Sequence, residues 1–270
     1  LRMKQHLIVL DLDGTLLNSQ HRVSDRVKQS IECAQAQGVQ IILASGRPYS
    51  GMLPYLKELA IKNDKNYVIT NNGANIRDID SGYAFHDNAL SYEDYIRIEA
   101  LSRQLDVNMH LVSDQCLYTA NEQIGRYTVW ESYLSNIPLV YREVAKMTED
   151  MYYNKCIFSD EIARMTGIEK HVPQSFYDDY EVFRSASFYL EFLRKNSTKG
   201  YALQKIADEM NLQGSEIMCI GDHENDFSMY KVAETKIAMG NGIDLLKENA
   251  TFITKTNNED GVAIAIEKYI

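Results

Sequence analysis

The chain has 270 residues, of which 45% are hydrophobic and 24% charged, and a formal net charge of −10. That length accommodates one or two domains with a sizeable core, and the acidic balance argues against a general nucleic-acid or anionic-membrane partner while leaving room for a small anion at a local basic cluster. The sequence shows no apolar run of the roughly eighteen residues a membrane span needs and no signal segment; its four scattered cysteines (Cys33, Cys116, Cys156, Cys219) lack CxxC spacing, which suits reduced thiols in a cytoplasmic protein and disfavours a disulfide framework or zinc site.

In chain order, residues 6–10 read as a buried strand. Ser24 caps a helix with Val27, Ile31 and Ala34 on one face, stopped by Gly38. Residues 39–44 form a second apolar strand, 48–60 a helix and 67–70 a third strand. This rhythm predicts an α/β fold with a mostly parallel sheet covered on both faces. Segments 75–79 and 83–86 flank Asp80-Ser81-Gly82 and predict a hairpin. Ser91 with Asp94 opens a helix to about residue 105. Alternating segments near 108–112, 116–119, 155–159 and 181–184, separated by helical stretches and rich in tyrosine, read as a separate α+β domain. The first rhythm then returns: a strand at 188–193, a helix capped by Thr198 with Leu203, Ile206, Ala207 and Met210 inward, a strand at 217–220, short strands near 236–239 and 251–254, and a last helix over 260–269.

Four polar clusters lie at or near the carboxyl ends of strands in the parallel region, where open α/β sheets bind ligands. Asp11 and Asp13, followed by Gly14-Thr15, put two carboxylates at the end of a buried strand, an expensive arrangement that a divalent cation and its substrate would compensate. Ser45-Gly46-Arg47-Pro48 combines a hydroxyl, close backbone approach and a helix start that favours an anion. Lys199, in the first turn of a helix, opposes the helix dipole by roughly 0.3–1 kcal/mol and so invites a local anion. Gly221-Asp222-His223-Glu224-Asn225-Asp226 gathers ligand-type residues after a buried strand; Asp222 and Asp226 share a face if a helix has begun there, and His223 is not read as a metal ligand. Each cluster has a plainer alternative: acids as caps, a helix start without a ligand, an exposed lysine, a solvated acidic turn. The spacing decides more than any one cluster. Asp13 to Ser45 is one strand–helix–strand unit and Lys199 to Asp222 is a helix plus a strand, whereas Ser45 to Lys199 is far longer than the sheet requires. The α+β region is thus an insertion, placed to sit over the strand ends as a lid.

Together these residues resemble the haloacid dehalogenase superfamily of phosphotransferases, with Asp11-Leu12-Asp13-Gly14-Thr15, Ser45, Lys199 and Gly221-Asp222-x-x-Asn225-Asp226 matching its four motifs in order. The long insert, Ala44-Ser45-Gly46-Arg47-Pro48, Asn72-Gly73-Ala74 and Leu190-Glu191 resemble the Cof-type branch, although Arg194 and Asn196 stand where that branch often has Pro and Gly. The resemblance implies a three-layer Rossmann-like core at residues 1–84 and 186–270 and an inserted α+β cap, the substrate-specificity domain, at 85–185. It implies Asp11 as the nucleophile, forming an aspartyl-phosphate, and Asp13 as the acid that protonates the leaving group and then activates water. Mg²⁺ would be held by Asp11, the backbone carbonyl of Asp13 and Asp222, supported by Asp226. Ser45, Gly46 and Lys199 would bind the phosphoryl group, Asn225 the phosphate or substrate, and Arg47 and Asn72 would contact substrate or brace the loops.

The expected activity is Mg²⁺-dependent hydrolysis of small phosphorylated metabolites such as sugar phosphates, by a monomer or small homo-oligomer. A phosphomutase of the same superfamily and a non-catalytic phosphometabolite-binding protein are the alternatives; the presence of both Asp11 and Asp13 speaks against the second. In the cap, Arg126, Tyr127, Trp130 and Arg184 are candidate substrate readers, though core or surface roles suit each of them as well.

Overall fold

The structure is a computed structural model and describes residues 5–62 and 65–270, so residues 1–4 of the expected core segment lie outside the described residues. The chain opens with β1 (Leu7–Asp11), α1 (Asp25–Ala36), β2 (Gln40–Ala44), α2 (Tyr49–Glu58), β3 (Tyr67–Thr70) and the hairpin β4 (Asn75–Asp78) and β5 (Ala84–Asp87). The middle holds α3 (Tyr92–Gln104), β6 (Asn108–Val112), β7 (Leu117–Thr119), α4 (Arg126–Ser135), β8 (Leu139–Tyr141), β9 (Lys155–Ser159), α5 (Ile162–Lys170), α6 (Gln174–Asp179), β10 (Tyr180–Ala186) and β11 (Tyr189–Arg194). The last part comprises α7 (Lys199–Met210), β12 (Ile217–Gly221), a 3-10 helix (Glu224–Lys231), β13 (Thr235–Ala238), α8 (Asp244–Asn249), β14 (Phe252–Ile253) and α9 (Gly261–Tyr269).

The first sheet runs β14-β13-β12-β1-β2-β3-β4-β5, parallel from β14 to β3 and antiparallel through the hairpin. Its central strand is apolar on both faces because both are covered. Ile8 and Leu10 pack with Val27, Ile31 and Ala34 of α1 and Val262 and Ile266 of α9, whereas Leu7 and Val9 pack with Ala202, Leu203 and Ile206 of α7. Full burial of each valine, leucine or isoleucine among them contributes roughly 1.5–3 kcal/mol. This is the expected three-layer α/β arrangement. The two-residue period places Asp11 on the side of Leu7 and Val9, facing α7. Register brings the strand ends level: Leu10 lies opposite both Leu43 and Ile220, and Asp11 opposite Ala44. The helix starts are set locally, since Ser24 accepts the Val27 amide and Ser91 and Asp94 form a reciprocal box.

The second sheet runs β10-β11-β9-β6-β7-β8, antiparallel except for β7 with β8. Ile98 and Leu101 of α3 and Met165 and Ile168 of α5 cover one face, against Leu111, Phe158 and Phe192.

One sequence expectation changes here. The strand expected at 188–193 belongs to the second sheet, as β11 between β10 and β9, and β5 belongs to the first. A break at 84/85 therefore falls within β5 and one at 185/186 within β10. The reason is that Tyr189, Leu190, Phe192 and Leu193 are all buried, and an apolar run does not reveal which sheet it joins. The chain crosses between sheets near residues 88–91 and 195–198. There Asn88 Nδ2 donates to the Lys195 carbonyl at 2.7 Å and to the Ser197 hydroxyl at 2.9 Å, tying the two crossings together.

Candidate active site

β1 delivers Asp11 to the sheet edge, and the chain then turns sharply. Gly14 has φ +82°, and a Cβ there would lie 2.4 Å from Asp222 Oδ2, so the turn requires glycine for both backbone and space. Thr15 Oγ1 donates to Asp222 Oδ1 at 2.9 Å, joining the first and fourth clusters.

Lys199 begins α7, behind Thr198, whose side chain caps the helix by accepting the Tyr201 amide. Its ammonium is fully buried and donates to Asp11 Oδ1 at 2.5 Å and Asp226 Oδ1 at 2.6 Å. The local anion that a first-turn lysine calls for is thus a pair of carboxylates. Burial pulls the Lys199 pKa down, but Asp11 and Asp226 outweigh it and hold the group above its ordinary value. Burial, then the charge of Asp226, push Asp11 well above the usual carboxylate range despite Lys199. The same two causes push Asp222 up to about 7.

Asp226 does not share a helical face with Asp222. Asp222 precedes the 3-10 helix, and Asp226 Oδ2 folds back to accept the amides of Asp222 at 2.9 Å and His223 at 3.1 Å. Asp226 therefore braces the fourth loop and Lys199 together. Asp11, Asp222 and Asp226 each offer an oxygen within 4.8 Å of the others. Three clustered carboxylates, with one ammonium bonded to two of them, are a donor set and a charge imbalance that suit a hard divalent cation.

Ser45, buried at the end of β2, accepts the Arg47 amide at 3.1 Å. The Asn71 and Asn72 amides donate to the Arg47 and Ser45 carbonyls, each at 2.9 Å, so the two loops zip together. A Cβ at Gly46 would meet Asn72 Nδ2 at 2.9 Å, so glycine here leaves the Asn72 amide in place. Asn72, left-handed at φ +55°, donates to Glu191 Oε2 at 2.6 Å and accepts from Asn225 Nδ2 at 2.9 Å. Arg47 does not point free into the site. Its guanidinium grips Asp13 bidentately, through Nε at 2.8 Å and Nη2 at 2.6 Å.

Over these residues lies a cavity of about 220 Å³, bounded below by Asp11, Asp13, Ser45, Asp222 and Asn225 and above by Trp130, Glu131, Lys155, Phe188, Tyr189 and Glu191. A larger hollow of about 750 Å³ among Arg103, Asn121 and Arg164 has none of the acidic cluster. Of the four cap candidates, Trp130 lines the cavity. Arg126 pairs with Glu161, Tyr127 stacks on Phe188 at 4.3 Å and Arg184 pairs with Glu169 at 3.2 Å.

Sequence reasoning missed Lys155 and Glu131, and met Glu191 only as part of a resemblance. Lys155 reaches from β9 to the Gly46 carbonyl at 2.7 Å and to Glu191 at 3.0 Å, both side chains being almost fully buried. The signal was a charge within an otherwise apolar strand. Glu131 on α4, held above its ordinary pKa chiefly by burial, accepts from Ser135 at 2.9 Å. Asn196, where the branch often has glycine, takes φ +64°, a left-handed conformation asparagine tolerates.

The family model of haloacid dehalogenase-like hydrolases matches residues 8–266. The chain belongs to this family. A Streptococcus pyogenes protein provisionally named a phosphatase is 41% identical, with 99% of each chain covered. A 5-amino-6-(5-phospho-D-ribitylamino)uracil phosphatase of Bacillus subtilis is 28% identical, with 97% of each covered. A haloacid dehalogenase-like hydrolase of Bacteroides thetaiotaomicron, solved by crystallography, superposes with a TM-score of 0.86 at 30% identity, over 99% of this chain and 100% of that one. This haloacid dehalogenase-like hydrolase is accordingly an enzyme of the phosphatase type, and its four motif clusters meet at one point of the fold.

Proposed function

We propose that the chain is a Mg²⁺-dependent phosphatase of small phosphorylated metabolites, sugar or polyol phosphates among them, working through an aspartyl-phosphate on Asp11. The observation that carries this reading is the buried cluster of Asp11, Lys199, Asp222 and Asp226, of which Asp11 and Asp222 reach the floor of the cavity. The second sheet with its helices is taken as the cap, spanning about residues 90–195, and the relative acting on a ribityl phosphate supports a polyhydroxy leaving group. No described helix is long and apolar enough to cross a membrane; the four free cysteines suit the reducing cytoplasm that we propose as its location.

The uncatalysed hydrolysis of such esters is so slow that accelerations near 10²¹, about 29 kcal/mol, are called for. Asp11, fixed by Lys199, attacks phosphorus as the ester P–O bond breaks, and Asp13 gives its proton to the departing oxygen. Asp13 then takes a proton from water, which attacks the aspartyl-phosphate, freeing phosphate and restoring Asp11. Lys199 and Ser45 meet the phosphoryl oxygens as charge develops. Mg²⁺, held by Asp11, Asp222 and the Asp13 carbonyl, would offset the repulsion between carboxylate and phosphoryl group.

The test is phosphate release from a panel of phosphorylated metabolites and p-nitrophenyl phosphate, with Mg²⁺ and with EDTA. Release with Mg²⁺ and its loss with EDTA are expected. Isomer formation without release would indicate a mutase, and binding without turnover a non-catalytic protein.

A further inference from the structure

We infer that Arg47 is a positioning residue that ties the acid–base carboxylate of Asp13 to the docked state of the cap. The inference rests on the phosphatase reading above. Arg47 follows β2, and its side chain is only 8% exposed. One edge of its guanidinium, Nε and Nη2, is committed to Asp13; the remaining nitrogen, Nη1, donates to the Leu134 carbonyl at 2.9 Å. Leu134 lies in the last turn of α4, a cap helix, where carbonyls have no helical partner and accept from outside. The ring of Tyr55 on α2 lies 5.5 Å from the guanidinium. A planar fork gripped on three sides has one orientation, so its position reports where α4 is.

A phosphate ligand would find the Nε and Nη2 edge taken by Asp13 and could meet only the N–H groups on Nη1 and Nη2 that Asp13 and Leu134 leave unused. Asp13 is 42% exposed, and His21 Nδ1 lies 3.8 Å from its carboxylate; the charge-assisted bonds from Arg47 hold it in place. With α4 lifted, Nη1 loses its acceptor and the brace on Asp13 is free to turn. Proton delivery is thereby linked to a roofed site, where the leaving group is shielded from water.

The cap side of the link is accessible through Gly51 on α2. A Cβ there would lie 3.2 Å from the Ser135 carbonyl and 3.4 Å from Arg47 Cβ. Gly51→Ala therefore crowds the end of α4 and the stem of Arg47 by a few tenths of an ångström while leaving the chemical identity of every side chain that lines the cavity unchanged.

The experiment compares the full chain with Arg47→Gln, Arg47→Lys and Gly51→Ala in Mg²⁺, on p-nitrophenyl phosphate, whose leaving group needs little protonation, and on a sugar phosphate. Inhibition by inorganic phosphate is measured alongside. The expected result for both Arg47 variants is a loss of kcat at least about tenfold greater on the sugar phosphate, with phosphate inhibition within about twofold of wild type. Gly51→Ala should shift the same ratio in the same direction by a smaller factor. Equal losses on both substrates with weakened phosphate inhibition would make Arg47 a phosphate ligand and overturn the inference. An unchanged ratio in Gly51→Ala would overturn the link to the cap. Should Arg47→Gln fail to fold, Arg47→Lys, which keeps the charge and loses the fork, carries the same comparison. A wild type inactive on both substrates overturns the phosphatase reading itself, which separates the two failures.

Discussion

Lys199 and Asp11 are 188 positions apart in the chain and 2.5 Å apart in the fold. Neither carboxylate that Lys199 serves has another ammonium bonded to it among the described contacts. Lys199→Met should therefore lower the unfolding free energy by about 3–5 kcal/mol, because it strands buried charge. It should also lower kcat by about 10²–10³. Urea titration and steady-state kinetics check the two effects separately.

Asp11→Asn should behave in the opposite way on stability. The Asp11 carboxylate is disfavoured by burial and by Asp226 and Asp222, so a neutral amide removes more repulsion than attraction. Phosphate release should disappear while the metal-free melting temperature stays within a few degrees of wild type or rises. Wild-type turnover would refute the nucleophile assignment.

Metal binding should show directly as stabilisation. Mg²⁺ at about 100 times its Kd should add about 2.7 kcal/mol to folding, seen as a concentration-dependent rise in melting temperature. Asp222→Asn should remove most of that rise, since Asp222 supplies one of the three clustered oxygens.

Lys155 and Glu191 form a buried pair that also holds Gly46 and Asn72. Lys155→Met alone should cost about 3–5 kcal/mol. Lys155→Met combined with Glu191→Gln should recover a large part of that loss. A double-mutant cycle by urea denaturation gives the coupling, and simple additivity would refute it.

His110 provides a pH signature. It is buried, its Nδ1 3.0 Å from the Thr128 hydroxyl, and burial, aided by the charge of Lys155, lowers its pKa from 6.5 to about 3. The unfolded chain therefore binds the extra proton between these values. The stability it contributes is complete above about pH 6.5 and is lost as pH falls toward 3, amounting to about 2 kcal/mol at pH 5. Urea midpoints at pH 7.5 and pH 5 should differ less in His110→Gln than in wild type.

Much of the site is legible in the sequence because parallel sheets place chemistry at strand ends, and each cluster follows an apolar run that marks such an end. Asp11, Ser45, Lys199 and Asp222 come together as the spacing implies, and Thr198, Ser24 and Ser91 cap the helices that they announce. Direction of approach is less legible. Arg47 looks like an anion ligand until Asp13 is seen in its fork, and Asp226 looks like a helix-face partner until its carboxylate turns back on the loop. The roof of the cavity is least legible: Lys155, Glu191 and Glu131 come from elements far apart in sequence. Lys155 and Glu191 each adjoin apolar strand residues that read as plain core, and Glu131 lies on a helix whose large apolar residues Val129, Trp130 and Tyr133 are exposed.

The bonds from Asn88 to Lys195 and Ser197 have a consequence for how such proteins diversify. Because the chain leaves and re-enters the first sheet side by side, everything between is grafted at one point. An exchange of that segment between relatives, joined at these residues, would replace the whole roof of the cavity and leave the four clusters beneath it in register. A new leaving-group preference could then be acquired in a single recombination, with Arg47 and the Gly46 carbonyl as the sockets any incoming roof must fit.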